Sequence, residues 1–144
     1  MRIELNVHGT PKPQPRQRHA ARKGKNGKVF VQNYTPKDAP VQDWKSAIRQ
    51  RAIFDEVAFK RISGPISLSV MFFMPIPKSL QKKVSELDPH IKVPDTDNLA
   101  KAVMDALTDC GVWEDDKQVY RSSFSKVYSS DPGAKIIIEC QEGT

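Results

Sequence analysis

Apolar residues recur along this chain with two different periods, and that alternation restricts the fold more than any other feature of the sequence. Between Arg2 and His8, Ile3, Leu5 and Val7 share one face while Arg2, Glu4 and Asn6 share the other, the period-two pattern of a half-buried strand. From Asp38 to Phe59 the spacing changes to steps of three and four through Val41, Trp44, Ala47 or Ile48, Arg51 or Ala52, and Val57. That spacing predicts a helix, closed by Ser63-Gly64-Pro65. Ile66 to Met74 is almost continuously apolar, as expected of a strand covered by neighbours on both edges. Ser79 to Leu87 has the outline of a short amphipathic helix. Asn98 to Cys110 reads as a second main helix with Leu99, Val103, Ala106, Leu107 and Cys110 on its inner stripe and Gly111 as its stop. Gln118 to Tyr128 and Ala134 to Cys140 alternate again, joined by Ser129-Ser130-Asp131-Pro132-Gly133 in the manner of a hairpin. Asn26-Gly27, ahead of Val29-Phe30-Val31, marks an earlier hairpin tip. The expected order is β-(hairpin)-α-β-α-β-β. It describes an α+β fold with a mixed four-stranded sheet and two main helices packed on it. With 144 residues, a single domain spanning the chain is expected, with a basic arm or hairpin at about residues 10–37.

Charge is segregated within this frame. From Thr10 to Lys37 there are eight basic residues and no acidic one: Lys12, Arg16, Arg18, Arg22, Lys23, Lys25, Lys28 and Lys37. Such a stretch is either a solvated loop or a footprint for a polyanion, and Lys12, Arg16, Arg18, Arg22, Lys23, Lys25 and Lys28 are its candidate nucleic-acid contacts. From Glu86 to Asp116 the balance inverts, with nine acids against Lys92 and Lys101. The start of the chain has no long apolar run, so neither a signal peptide nor a membrane span is expected. Cys110 and Cys140 lack the spacing of a zinc site or a disulfide framework. Reduced thiols in the cytoplasm, near the nucleoid, fit that pattern.

The acidic region carries the chemistry. In Pro94-Asp95-Thr96-Asp97-Asn98-Leu99-Ala100-Lys101 an extended backbone points Asp95 and Asp97 the same way. A second acidic turn, Trp113-Glu114-Asp115-Asp116, follows the helix. That helix spans roughly 20 Å, so the two turns can meet only if a returning strand carries Asp116 back beside the segment leading into Asp95. Two carboxylates ~4 Å apart repel by about 4 kcal/mol at an effective dielectric of 20. A phosphate would be repelled as well, and a hard divalent cation reverses that local sign while taking carboxylate and phosphate oxygens together. Lys101, one helical turn after Asp97, is suited to neutralising a phosphoryl transition state or orienting a water.

The run from Pro94 to Lys101, continued by Asp105-Ala106-Leu107 and closed by Trp113-Glu114-Asp115-Asp116-Lys117-Gln118-Val119, resembles the signature of the RusA family of Holliday junction resolvases. The basic, proline-rich stretch from Gly9 to Tyr34 is similar to that family's upstream segment in character. The resemblance implies an α+β homodimer that binds branched, four-way DNA junctions and nicks them symmetrically with Mg²⁺, for which Mn²⁺ can substitute, and with no organic cofactor and no membrane partner. It also implies that Asp95, Asp97 and Asp116 bind the metal, that Asp115 stands beside them, and that Lys101 is the essential cationic partner. Lys78 to Val93 lies outside the resemblance and is where substrate choice can differ.

Other readings of the same residues stay open at this point. An EF-hand loop is disfavoured, because Ala100 and Ala106 stand where the glycine and the bidentate glutamate belong. Asp95 or Asp97 can serve simply as a helix N-cap, and Asp105 can be structural. Trp44, Phe72, Phe73 and Trp113 suit a core better than base wedges. His8, His19 and His90 show no ligand spacing. The same metal site can serve flaps, forks or RNA, and a nucleic-acid-binding module without catalysis needs no metal at all.

Overall fold

The computed structural model describes residues 1–15, 18–23, 29–34 and 40–141. Six strands and two helices follow in the order β1 (Arg2–His8), β2 (Arg18–Lys23), β3 (Val29–Tyr34), α1 (Val41–Phe54), β4 (Ile66–Pro75), α2 (Thr96–Asp109), β5 (Val119–Ser129) and β6 (Gly133–Cys140). The mixed sheet runs β1-β6-β4-β5, and β2 and β3 form a separate antiparallel ribbon. The ribbon sits where Asn26-Gly27 predicts a hairpin, although its tip lies outside the described residues.

Strand β4 is central because it is apolar on its inner face. Ile66, Leu68, Val70, Phe72 and Met74 are buried, and Ser67, Ser69, Met71 and Phe73 alternate outward. It pairs antiparallel with β6 and parallel with β5. The hairpin expected between β5 and β6 is therefore corrected: the two strands are antiparallel neighbours in sequence, but β4 lies between them. Bridging two strand spacings means covering about 10 Å, which the short run from Ser129 to Gly133 does at ~3.3 Å per residue. Helix α2 supplies the crossover that a parallel β4–β5 pair requires.

Two further expectations are revised. Helix α1 begins at Val41 and ends at Phe54, well short of Phe59. Glu56 and Phe59 adopt positive φ (59° and 65°), and the N–H groups of Val57 and Ala58 both donate to the Ala52 carbonyl, so the helix unwinds while Val57 still reaches the core. Residues Ser79 to Leu87 do not form an amphipathic helix. Only a single tight turn, Lys78–Leu80, is helical, and Leu87 takes φ +67° at an exposed site.

The helices pack against each other, with α1 against β1 and α2 against β5. The core joins Trp44 and Ile48 of α1, Leu99, Val103 and Leu107 of α2, the inner face of the sheet, and Trp113. Trp44, Trp113 and Phe72 are core residues, as their context predicts, whereas Phe73 is half-buried on the outer sheet face. Both cysteines are buried free thiols, and burial pushes the Cys110 thiol above its ordinary pKa.

Candidate active site

The two acidic turns are placed by the crossover. Beyond β4 the chain returns along the outer edge of β5: the Leu87 N–H donates to the Tyr128 carbonyl (2.8 Å), the Tyr128 N–H to Asp88 (2.9 Å) and the His90 N–H to Lys126 (3.1 Å). The Pro89–Val127 bridge in this segment is antiparallel, so the segment carries Asp95 toward the end of β5 that Asp116 precedes. Asp95 then leads into α2. Its carbonyl accepts from the Leu99 N–H (3.2 Å), but its carboxylate makes no capping hydrogen bond. Asp97, in the first turn, accepts from the adjacent Asn98 N–H (3.0 Å). An N-cap role thus leaves the Asp95 side chain unexplained, and both carboxylates face solvent.

Asp116 opens a short turn, Asp116–Gln118, that is tied down from several sides. Asp115 accepts from the Lys117 N–H (3.0 Å) and caps the turn. The Gln118 side chain accepts from the N–H groups of Glu114 and Asp115 (2.9 and 3.0 Å) and donates to the carbonyls of Ile62 and Gly64 (2.8 and 3.0 Å). The loop after α1 also pairs with the turn after α2, since Phe59, Arg61 and Ile62 donate to Cys110, Gly111 and Val112. Gln118 stands within the motif that carries the resemblance, but no role is expected for it there. Its signal is spacing, because a glutamine three residues after Asp115 completes a capping box.

Asp97, Lys101 and Asp116 border one open cleft of about 280 Å³, whose walls include Ala100, Met104 and Phe124. Asp95 and Asp115 are not among its lining residues. Among the described residues, no three carboxylate, imidazole or thiol groups stand close enough together to enclose an ion by themselves. Asp105, on the same face of α2, pairs with the buried Lys45 ammonium of α1 at 3.6 Å, and Asp109 pairs with Arg49 at 3.5 Å.

Electrostatics single out Asp116. Its carboxyl is held above the usual carboxylate range, first by its hydrogen bond to Asp115, then by partial desolvation, then by repulsion from Asp115 and Asp105. Asp115 is shifted the other way, first by the Lys117 N–H and then by Asp116. The pair therefore takes on its second negative charge less readily than two separate carboxyls would, a penalty that a nearby cation relieves.

The basic arm starts beside this site. The Gln14 N–H donates to the Asn98 carbonyl in the first turn of α2 (3.1 Å), with half-buried Lys12 just upstream. Arg18, Arg22 and Lys23 belong to β2, whereas Arg16, Lys25, Lys28 and Lys37 lie outside the described residues.

A family model described as "Endodeoxyribonuclease RusA" matches residues 8–139. The chain belongs to the RusA endodeoxyribonuclease family. The matched span takes in the arm, both acidic turns and the whole crossover, so this RusA-family fold is continuous with the motif read from the sequence. The chain is also similar to YqaN of Bacillus subtilis (strain 168), an uncharacterized protein 33% identical to it, the alignment covering 94% of each chain. No helix among the described residues is long and apolar enough to cross a membrane.

Proposed function

We propose that this RusA-family chain is a Mg²⁺-dependent endodeoxyribonuclease that resolves four-way DNA junctions as a homodimer, in DNA recombination and repair. The observation that carries the reading is the cleft that Asp97, Lys101 and Asp116 share, where the hydrogen bond to Asp115, partial desolvation and neighbouring carboxylates all hold the Asp116 carboxyl above the usual range. Mg²⁺ keeps several waters and needs only one or two carboxylates from the protein besides substrate phosphate, so an open pair of aspartates suits it better than an enclosed cage. Asp97 and Asp116 would hold the ion, with exposed Asp95 completing the set and Asp115 fixing the turn beside them. Bound there, Mg²⁺, or Mn²⁺ in its place, would supply charge neutralisation and an acidified water for phosphodiester hydrolysis.

The protein's own groups do the rest. Lys101 lines the cleft and offers its ammonium to charge developing on the phosphoryl oxygens. The arm supplies phosphate contacts through Lys12, Arg16, Arg18, Arg22, Lys23, Lys25 and Lys28, and its attachment at Asn98 brings the DNA backbone to the acidic cleft. Two symmetric nicks in one junction require two such sites, hence two copies of the chain.

Cleavage of a four-way junction, a flap and a linear duplex by the native protein and by Asp97→Asn tests this. The native protein nicks the junction in preference to the others. Asp97→Asn loses at least about 100-fold in rate while binding the junction as tightly or more so, because one charge repelling phosphate is gone. Undiminished nicking by Asp97→Asn contradicts the mechanism, and preferential cleavage of the flap redirects it to another branched substrate.

A further inference from the structure

The stretch between β4 and the acidic motif is expected from the sequence only as a place where substrate choice can differ, yet it leads directly into Asp95. Its regular backbone attachment to β5 ends at His90. Beyond that point a side chain takes over: the Lys126 ammonium, on β5, donates to the carbonyls of Lys92 (2.5 Å) and Pro94 (2.7 Å). Pro94 directly precedes Asp95, so the last carbonyl before the carboxylate motif is fixed by an ion three decades of residues away in sequence. Hydrogen bonds from a charged donor are roughly twice as strong as neutral ones. Two of them on carbonyls two residues apart fix the direction in which the chain enters α2. Lys126 is half-buried, and its backbone also pairs with Phe72 on the central strand, so the clamp is anchored in the sheet. The neighbouring His90 ring, 4.7 Å from that of Tyr128, packs the other end of the same segment onto β5.

We propose that Lys126 is a positioning residue that holds residues 92–94 on β5 and thereby sets Asp95 against the metal-binding cleft. The proposal rests on the metal-site reading above. Its mechanism resembles that of partners that orient metal ligands from behind, whose loss costs roughly 10- to 100-fold in metal affinity. A DNA-contacting lysine would present its ammonium outward, whereas two of the three N–H donors of Lys126 are turned onto the protein's own backbone.

The test titrates Mn²⁺ calorimetrically into the full-length native protein, Lys126→Met and Lys126→Arg, and follows amide hydrogen exchange on the same samples. Lys126→Met weakens Mn²⁺ binding by roughly 10- to 100-fold, and exchange quickens at His90 and Leu99, whose N–H groups donate to the Lys126 and Asp95 carbonyls, while the core amides of β4 and the later turns of α2 stay protected. Lys126→Arg, which can still donate to both carbonyls, restores most of the affinity. Unchanged Mn²⁺ affinity in Lys126→Met overturns the proposal. So does exchange that quickens uniformly through β4 and α2, because Lys126 would then support the fold at large. Weaker metal-free junction binding with unchanged Mn²⁺ affinity assigns Lys126 to DNA instead. Failure of the native protein itself to take up Mn²⁺ removes the metal-site reading, a result visible before any variant is made. Should Lys126→Met not fold, Lys126→Gln retains two N–H donors on a shorter side chain without the charge and is expected to fall between Met and Arg.

Discussion

Asp116 is the residue at which the proposed chemistry and the stability of the fold pull in opposite directions. A carboxyl held above its ordinary range binds its proton more tightly in the folded chain than in the unfolded one, so its ionisation costs stability. That cost is absent below the unfolded pKa and grows as pH rises from there through the folded value. An asparagine cannot ionise and can still donate to Asp115. Asp116→Asn should therefore raise the melting temperature of the metal-free protein at pH 7, with the gain shrinking as pH falls into the carboxylate range. An equal or lower melting temperature at pH 7 would show that the cleft is not strained by charge. Gly133 poses a steric problem instead. A Cβ at this position would lie 2.2 Å from the Val7 carbonyl oxygen on β1, where only backbone movement can make room. Gly133→Ala is expected to cost about 1–3 kcal/mol, the range for overpacked sites, read as a lower urea midpoint. Neither property is visible in sequence, since both depend on residues brought together from distant parts of the chain. Lys45 is similar: helical spacing shows that it adjoins Trp44, but its burial is tolerable only because Asp105 arrives from α2.

Among the elements, those fixed by local periodicity were legible. Strand β1 and the central β4 could be read from alternation and from continuous apolar character, and α2 with its glycine stop differs from its expected limits by only a residue or two. What periodicity cannot encode is adjacency. A period of two marks β5 and β6 as strands without saying whether they touch, and β4 inserts between them because its apolar inner face needs cover on both edges. That Asp97, Lys101 and Asp116 share one cleft was anticipated by their residue types and spacing, which metal-assisted phosphoryl chemistry would require. Gln118 and Lys126 were harder to find, because each acts by hydrogen-bonding a carbonyl more than 30 positions away. The β2–β3 ribbon carries a prediction of its own. If it tracks phosphates, log K for junction binding falls with log salt at about 0.9 per contacted phosphate. Replacing both Arg18 and Arg22 by alanine should then reduce that slope by roughly 2, measured by fluorescence anisotropy without divalent metal. An unchanged slope would make the ribbon a bystander.

For the whole molecule, the β4-α2-β5 crossover brings basic arm and acidic cleft together. The arm is fastened at the first turn of α2, the same helix presents Asp97 and Lys101, and the returning strand brings Asp116 to their cleft. If the arm draws a polyanion, as proposed, that polyanion arrives at carboxylates that would repel it unless a cation intervened, and this opposition is the physical core of the nuclease reading. The most direct measurement is a crystal structure of the protein soaked in Mn²⁺, with the metal located by anomalous scattering. A peak is expected in the cleft in direct contact with carboxylate oxygens of Asp97 and Asp116, with Asp95 turned toward it. No peak there at saturating Mn²⁺, or a peak held by other residues, would contradict the nuclease reading.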